Sequence, residues 1–135
     1  MSLSDEDKIA TTDELLAAGS TGDFDRVATF LTDDFSIEQD EMLPFGGRWT
    51  GKEALREHFP LVFGSMDVAD LKIIETLAAG DYVVRITEFE FSDKSLEKAR
   101  LSEMFLFRGD KICEIRPYYF SAGPLIAACK AKAGK

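Results

Sequence analysis

LSEMFLFRGDKICEIRPYYF, residues 101–120, reads as two β-strands folded about a tight turn. Arg108-Gly109-Asp110-Lys111 is hairpin material, and both flanks are dominated by apolar and aromatic side chains. Strand alternation puts Leu101, Glu103, Phe105 and Phe107 on one face, and Ser102, Met104 and Leu106 on the other. A carboxylate therefore shares a face with two phenylalanines and a leucine. In the last strand Ile115, Pro117 and Tyr119 share a face, opposite Glu114, Arg116, Tyr118 and Phe120.

Upstream, the same character continues back to Gly64. Segments 68–77, 82–91, 99–108 and 111–120 have strand composition, separated by "AAGD", "SDKS" and "RGDK". The first half is helical. Ser4 precedes Asp5-Glu6-Asp7, an N-cap followed by acids suited to the positive end of a helix dipole. That helix runs to about Ala18, with Ile9 and Leu16 on one face, and stops at Gly19. A second begins near Asp23, with Phe24, Val27, Ala28 and Leu31 at helical spacing. "TDDFSIEQ" reads as a turn into a strand at 35–39, and "PFGG" (44–47) as a loop. Thr50 and Glu53 have capping-box spacing before a third helix, whose apolar side carries Ala54, Leu55, His58, Phe59, Val62 and Phe63. Helices followed by an antiparallel meander predict an α+β domain with its helices on one face of a curved sheet. "GPLIAACKAKAGK" reads as a short helix packing back on that sheet.

The chain has 135 residues, which predicts one domain spanning 1–135. At 45% hydrophobic and 30% charged residues the composition is that of a soluble globular protein. No apolar run is long enough to span a bilayer, and no basic-then-apolar leader is seen. Met1-Ser2-Leu3 reads in part as a cloning remnant. A net charge of −9 argues against nucleic acid, whose phosphates need a basic surface. Lys130, Lys132 and Lys135 read as a solvated helix end. Cys113 and Cys129 make no disulfide framework, and one histidine leaves no zinc cluster. Reduced thiols in a cytoplasmic protein, with no membrane and no metal, are the expectation. No Gly-rich phosphate loop or nucleophile elbow is present.

Three segments in order, GDFDRVATFLTDDFSIE (22–38), GGRWTGKEALREHF (46–59) and EMFLFRGDKICEIRPYYF (103–120), resemble the SnoaL-like branch of the nuclear transport factor 2 superfamily, which includes ketosteroid isomerases. The resemblance implies a cone: a strongly bent antiparallel sheet wrapped around three N-terminal helices, with a pocket at the wide end. It also implies frequent dimers and cofactor-free chemistry. Members include isomerases, polyketide cyclases, dehydratases, epoxide hydrolases and binding modules, so fold analogy alone names no reaction.

The resemblance puts Glu103 on the concave face, where ketosteroid isomerases carry a protonated aspartic acid that donates to the developing enolate. Apolar walls such as Phe105 and Phe107 should raise a carboxyl pKa by desolvation and suit it to acid/base work. The isomerase base aligns with Gln39, which cannot abstract a proton, and the isomerase tyrosine near Leu15, which cannot donate a hydrogen bond. Asp40 would serve as base only after a one-residue register slip. Tyr119 is placed on the pocket side, with Glu103 as the obvious partner for its hydroxyl. His58, one turn after Leu55, titrates near neutrality when unperturbed and forms a candidate couple with a carboxylate across the cone. Catalytic candidates are thus Glu103, His58 and Tyr119. Ligand-binding candidates are Gln39, Trp49 (in the aromatic-x-Gly loop), Phe59, Glu88, Phe105 and Ile115. Glu88 is read either as a second pocket carboxylate or as a solvated or interface charge; the pocket reading sends Arg85, Phe89 and Phe91 to the convex face. That face, with Tyr118, is expected to form a homodimer.

Three readings of function stand open. One is an enzyme doing cofactor-free isomerisation, cyclisation, dehydration or hydrolysis with Glu103 at its centre. The second is a non-catalytic module binding a small organic ligand. The third is a structural dimer whose cone is filled by side chains.

Overall fold

The structure, a computed structural model, describes residues 3–135. The remnant read at the N-terminus falls largely outside them. Helix α1 (Asp5–Ser20) opens as its sequence requires: Ser4 Oγ accepts from the Asp7 backbone N–H at 3.1 Å, with three acids in the first turn. Lys8 on this helix is buried, its Nζ donating to the Gly80 carbonyl at 2.5 Å. Asp23 caps the six-residue α2 (Phe24–Thr29) through the Arg26 N–H.

Strand β1 (Leu31–Gln39) begins four residues before the expected 35–39 strand and takes in Asp33 and Asp34, which the sequence suggested as a turn. Strand β2 (Gly47–Thr50) lies where a loop was expected. It pairs antiparallel with β1 through Ile37 opposite Trp49 and Gln39 opposite Gly47. Thr50 is consequently tied into a strand, and the expected capping box does not form. Glu53 flanks α3 (Ala54–Ser65) without capping it and instead accepts from Arg56 Nε at 2.6 Å.

Strands β3 (Val68–Ala79), β4 (Tyr82–Phe91), β5 (Ala99–Arg108) and β6 (Lys111–Tyr119) are the expected meander, and α4 (Gly123–Ala133) follows. The six strands form one sheet in the order β2-β1-β6-β5-β4-β3. Every pair is antiparallel except β1 with β6, which is parallel. Register breaks between Val68 and Asp70, between Ile73 and Glu75, and between Leu106 and Phe107 mark bulges or irregularities. Such extra residues bend a strand and deepen its twist. The product is a curved, unclosed sheet with α1, α2 and α3 against its hollow face.

Two apolar clusters fill the interior. One joins Leu15, Val27, Phe35, Leu55, Phe105, Phe107 and Ile115 at the α1 end. The other joins Leu43, Phe45, Met66, Phe89, Phe91 and Leu125, with α4 folded over it. Lys132 and Lys135 at the end of α4 pair with Asp67 at 3.3 and 2.6 Å, so this tail is an anchor to the start of β3 and not simply a solvated end. No described helix is long and apolar enough to cross a membrane.

Candidate functional site

Between the two clusters lies a cavity of about 600 Å³. This is within the range of small-molecule sites. The sheet supplies one wall: Ile37 and Gln39 from β1, Leu71 from β3, Arg85, Thr87 and Phe89 from β4, Leu101 and Glu103 from β5, and Tyr119 from β6. The helices supply the other: Leu16 and Gly19 from α1, Phe24 from α2, and His58, Phe59, Val62 and Phe63 from α3. Exposed Ser20, Thr21, Gly22, Phe63 and Leu71 place the opening between the α1–α2 turn, α3 and β3. Gly19 lets the end of α1 approach Phe59, because a Cβ there would sit 2.2 Å from Phe59 Cε2.

Glu103 does face this cavity. Enclosure by protein pushes its carboxyl up to about 7, while the Arg85 charge pulls the other way. Arg85 sits directly across the strand pair from Glu103. It is only 3% exposed, and its Nε and Nη1 have no hydrogen-bond partner. The acid nearest Nη1 is Asp13, whose Oδ1 lies 3.5 Å away on an exposed side chain.

Tyr119 also faces the cavity, but across the β5–β6 pair it stands opposite Leu101, while Glu103 stands opposite Pro117. The direct Tyr119–Glu103 hydrogen bond expected from sequence is not made. Burial raises the phenol's pKa first and the Glu103 charge raises it further, against the Gln39 amide at its side. Gln39 is buried with its Oε1 unpartnered.

His58 lines the cavity at 1% exposure, and neither ring nitrogen has a side-chain partner. Burial depresses its pKa to about 4, so it is neutral at physiological pH. Among the described residues His58 forms no ion pair with a carboxylate, and the expected His58–carboxylate couple is absent. The Trp49 ring packs against the imidazole, centroids 4.5 Å apart, so Trp49 backs His58 and does not border the cavity.

Besides Trp49, three ligand-binding candidates fall elsewhere. Phe105 and Ile115 are fully buried partners across the β5–β6 ladder, in the core beside the cavity. Glu88 points to the convex face, where it pairs with Arg100 at 3.1 Å and Lys98 at 3.8 Å. The alternation of β4 runs opposite to the sequence reading: Val83, Arg85, Thr87, Phe89 and Phe91 are the buried residues. Arg85, Thr87 and Phe89 were therefore missed as lining residues. The available signal was that Glu88 and Glu90 share a face, which marks the Phe89–Phe91 side as interior.

The SnoaL-like domain family matches residues 12–115, and the chain belongs to that family. No curated protein matches it. Among solved structures it is similar to an NTF2-like protein from Burkholderia xenovorans LB400, with 19% identity, a TM-score of 0.73, and coverage of 93% of this chain and 98% of that one. Bal32a, from a soil-derived mobile gene cassette, shares 15% identity at a TM-score of 0.72, over 92% and 97% of the two chains. A hypothetical protein of ketosteroid isomerase-like fold from Catenulispora acidiphila DSM 44928, in complex with trimethylamine, shares 16% identity at a TM-score of 0.64, over 84% and 87%. At such identities the likeness is one of fold.

Proposed function

We propose that the cavity binds a small, largely apolar organic molecule and that Glu103 exchanges a proton with it, without a cofactor. The observation that carries this is the Glu103 carboxyl in an apolar hollow, with a pKa of about 7 that lets it both give and accept a proton at neutral pH. Tyr119 and Gln39 serve as orienting hydrogen-bond groups. His58, held neutral, orients the ligand and does not act as an acid. The Catenulispora relative's trimethylamine suggests a cation as an alternative occupant, but Arg85 beside Glu103 opposes one here.

Carbon-bound proton exchange provides the test. Small ketones and esters that raise the melting temperature are incubated with the protein in D2O and followed by NMR. Deuterium should enter next to the carbonyl, and Glu103→Gln should slow this by about 10²-fold or more. Exchange that persists in Glu103→Gln removes Glu103 from the chemistry. Binding without exchange favours a second reading, a non-catalytic binding module, which the amide at Gln39 also supports.

The convex face is read as a homodimer surface. Tyr82, Val84, Ile86, Met104, Leu106 and Tyr118 form an apolar field there, with Tyr118 53% exposed. Ion pairs Glu88–Arg100 and Glu114–Arg116 flank it. Phe89 and Phe91, expected on this face, are interior. Sedimentation at micromolar concentration should give twice the chain mass, and Met104→Glu should give a monomer. A wild-type monomer refutes the interface. The two buried, unpaired thiols Cys113 and Cys129 fit a reducing compartment, and we place the protein in the cytoplasm on that ground.

A further inference from the structure

Arg85 is the sole lysine or arginine among the described residues that line the cavity. Folding buries the residue to 3% exposure and leaves Nε and Nη1 without a hydrogen-bond acceptor. Buried charges are ordinarily paired and hydrogen-bonded, since removing them from water is costly. Asp13 meets that need only in part: its Oδ1 forms a long ion pair with Nη1 at 3.5 Å, without a hydrogen bond, from a side chain 59% exposed to water. Glu103 stands opposite on the neighbouring strand, yet no ion pair joins the two. A planar cation with unused donors therefore faces a hollow whose other walls are mostly apolar.

We propose that the cavity's ligand carries a carboxylate, forked onto the Arg85 guanidinium, with its apolar body lying along Leu16, Phe59, Phe63 and Leu71. This rests on the reading of the cavity as a small-molecule site and names the class of molecule. A carboxylate fits better than a phosphate. One guanidinium matches two planar oxygens, whereas a dianion would call for further cations that the lining does not offer. Glu103, across the ladder, meets the same head group and, when protonated, donates a hydrogen bond to it. The exposed aromatic Phe63 and aliphatic Leu71 at the opening suit an apolar tail.

The test uses three probes with one body and different heads: 4-phenylbutyrate, 4-phenylbutanamide and 4-phenylbutylamine, titrated calorimetrically into the 135-residue chain at pH 7. The carboxylate should bind roughly tenfold or more tighter than the amide, the margin a charge-assisted bond gives over a neutral one, and the amine should bind weakest. Arg85→Met, an apolar replacement of similar length, should bind carboxylate and amide within about twofold of each other. It should also melt close to wild type, because it removes a buried charge whose one ion pair, to Asp13, is long and partly in water. Should it not fold, Arg85→Lys keeps the charge without the fork and should lose most of the carboxylate preference. Equal binding of carboxylate and amide by wild type, or an undiminished preference in the folded Arg85 variant, overturns the assignment while leaving the cavity a binding site. No binding of any probe at millimolar concentration overturns both the assignment and the small-molecule reading beneath it.

Discussion

Phe105→Ala is expected to cost about 3–5 kcal/mol of folding stability and to lower the melting temperature by roughly 10–20 °C. Phe105 has no exposed surface and packs in the cluster with Leu15, Phe35, Leu55 and Ile115. Truncating it loses the transfer free energy of the ring and leaves a hollow that surrounding elements cannot close. The strands on both sides are held in register by backbone ladders to β4 and β6. Against a typical domain stability of about 5–15 kcal/mol, that is a large fraction. Ligand affinity of the molecules still folded should be unchanged, because Phe105 does not border the cavity. Phe59→Ala should behave the other way. Phe59 is half-buried and lines the cavity against Gly19, so its loss should weaken binding at less than half the stability cost. Paired melting curves and titrations separate the two roles. If Phe105→Ala melts within 3 °C of wild type or loses binding while folded, Phe105 belongs to the site after all.

That contrast shows what the sequence could and could not convey. Alternation alone places Leu101, Glu103, Phe105 and Phe107 on one face, and the structure keeps them there. It says nothing of how deep along the cone each one lies, so a core residue and a site residue look alike. In β4 both faces carry apolar residues, since the convex side holds Val84 and Ile86. The sequence then offered no clean polar face, and Arg85 and Glu88 exchanged places. The meander's limits were legible because "AAGD", "SDKS" and "RGDK" are turn chemistry. The β2 strand was not, because Gly46-Gly47 reads as loop and the pairing partner that makes 47–50 a strand is β1, earlier in the chain. The parallel β1–β6 contact joins residues more than 70 positions apart, and no local pattern encodes it. The helix side of the cavity has the same character. Leu16, Gly19, Phe24 and Phe63 meet there only because α1, α2 and α3 are folded onto one sheet.

Glu103→Gln is expected to stabilise the protein relative to wild type in a pH-dependent way. The carboxyl titrates at about 7 in the folded chain, against an ordinary 4.5 when unfolded, because enclosure disfavours its charged form more than Arg85 favours it. The unfolded chain therefore releases this proton first as pH rises. Below about 4.5 both states hold it and the residue contributes no pH dependence. Between 4.5 and 7 wild type loses stability, and above 7 the loss is complete. The amide has no proton to lose in this range, so the two stability curves should lie close together in acid and separate toward neutrality. The gap is at most about 3 kcal/mol, and smaller to the extent that water in the open cavity screens the charge. His58 adds a second slope of opposite sign: its depressed pKa makes the folded state lose stability as pH falls from 6.5 toward about 4. That slope is common to both proteins and cancels in their difference. Denaturant melts from pH 4 to 8 measure the difference directly. Curves that stay parallel would show the Glu103 carboxylate to be as well solvated in the fold as out of it. The acid at the heart of the proposed chemistry would then be ionised at neutral pH like any surface carboxylate.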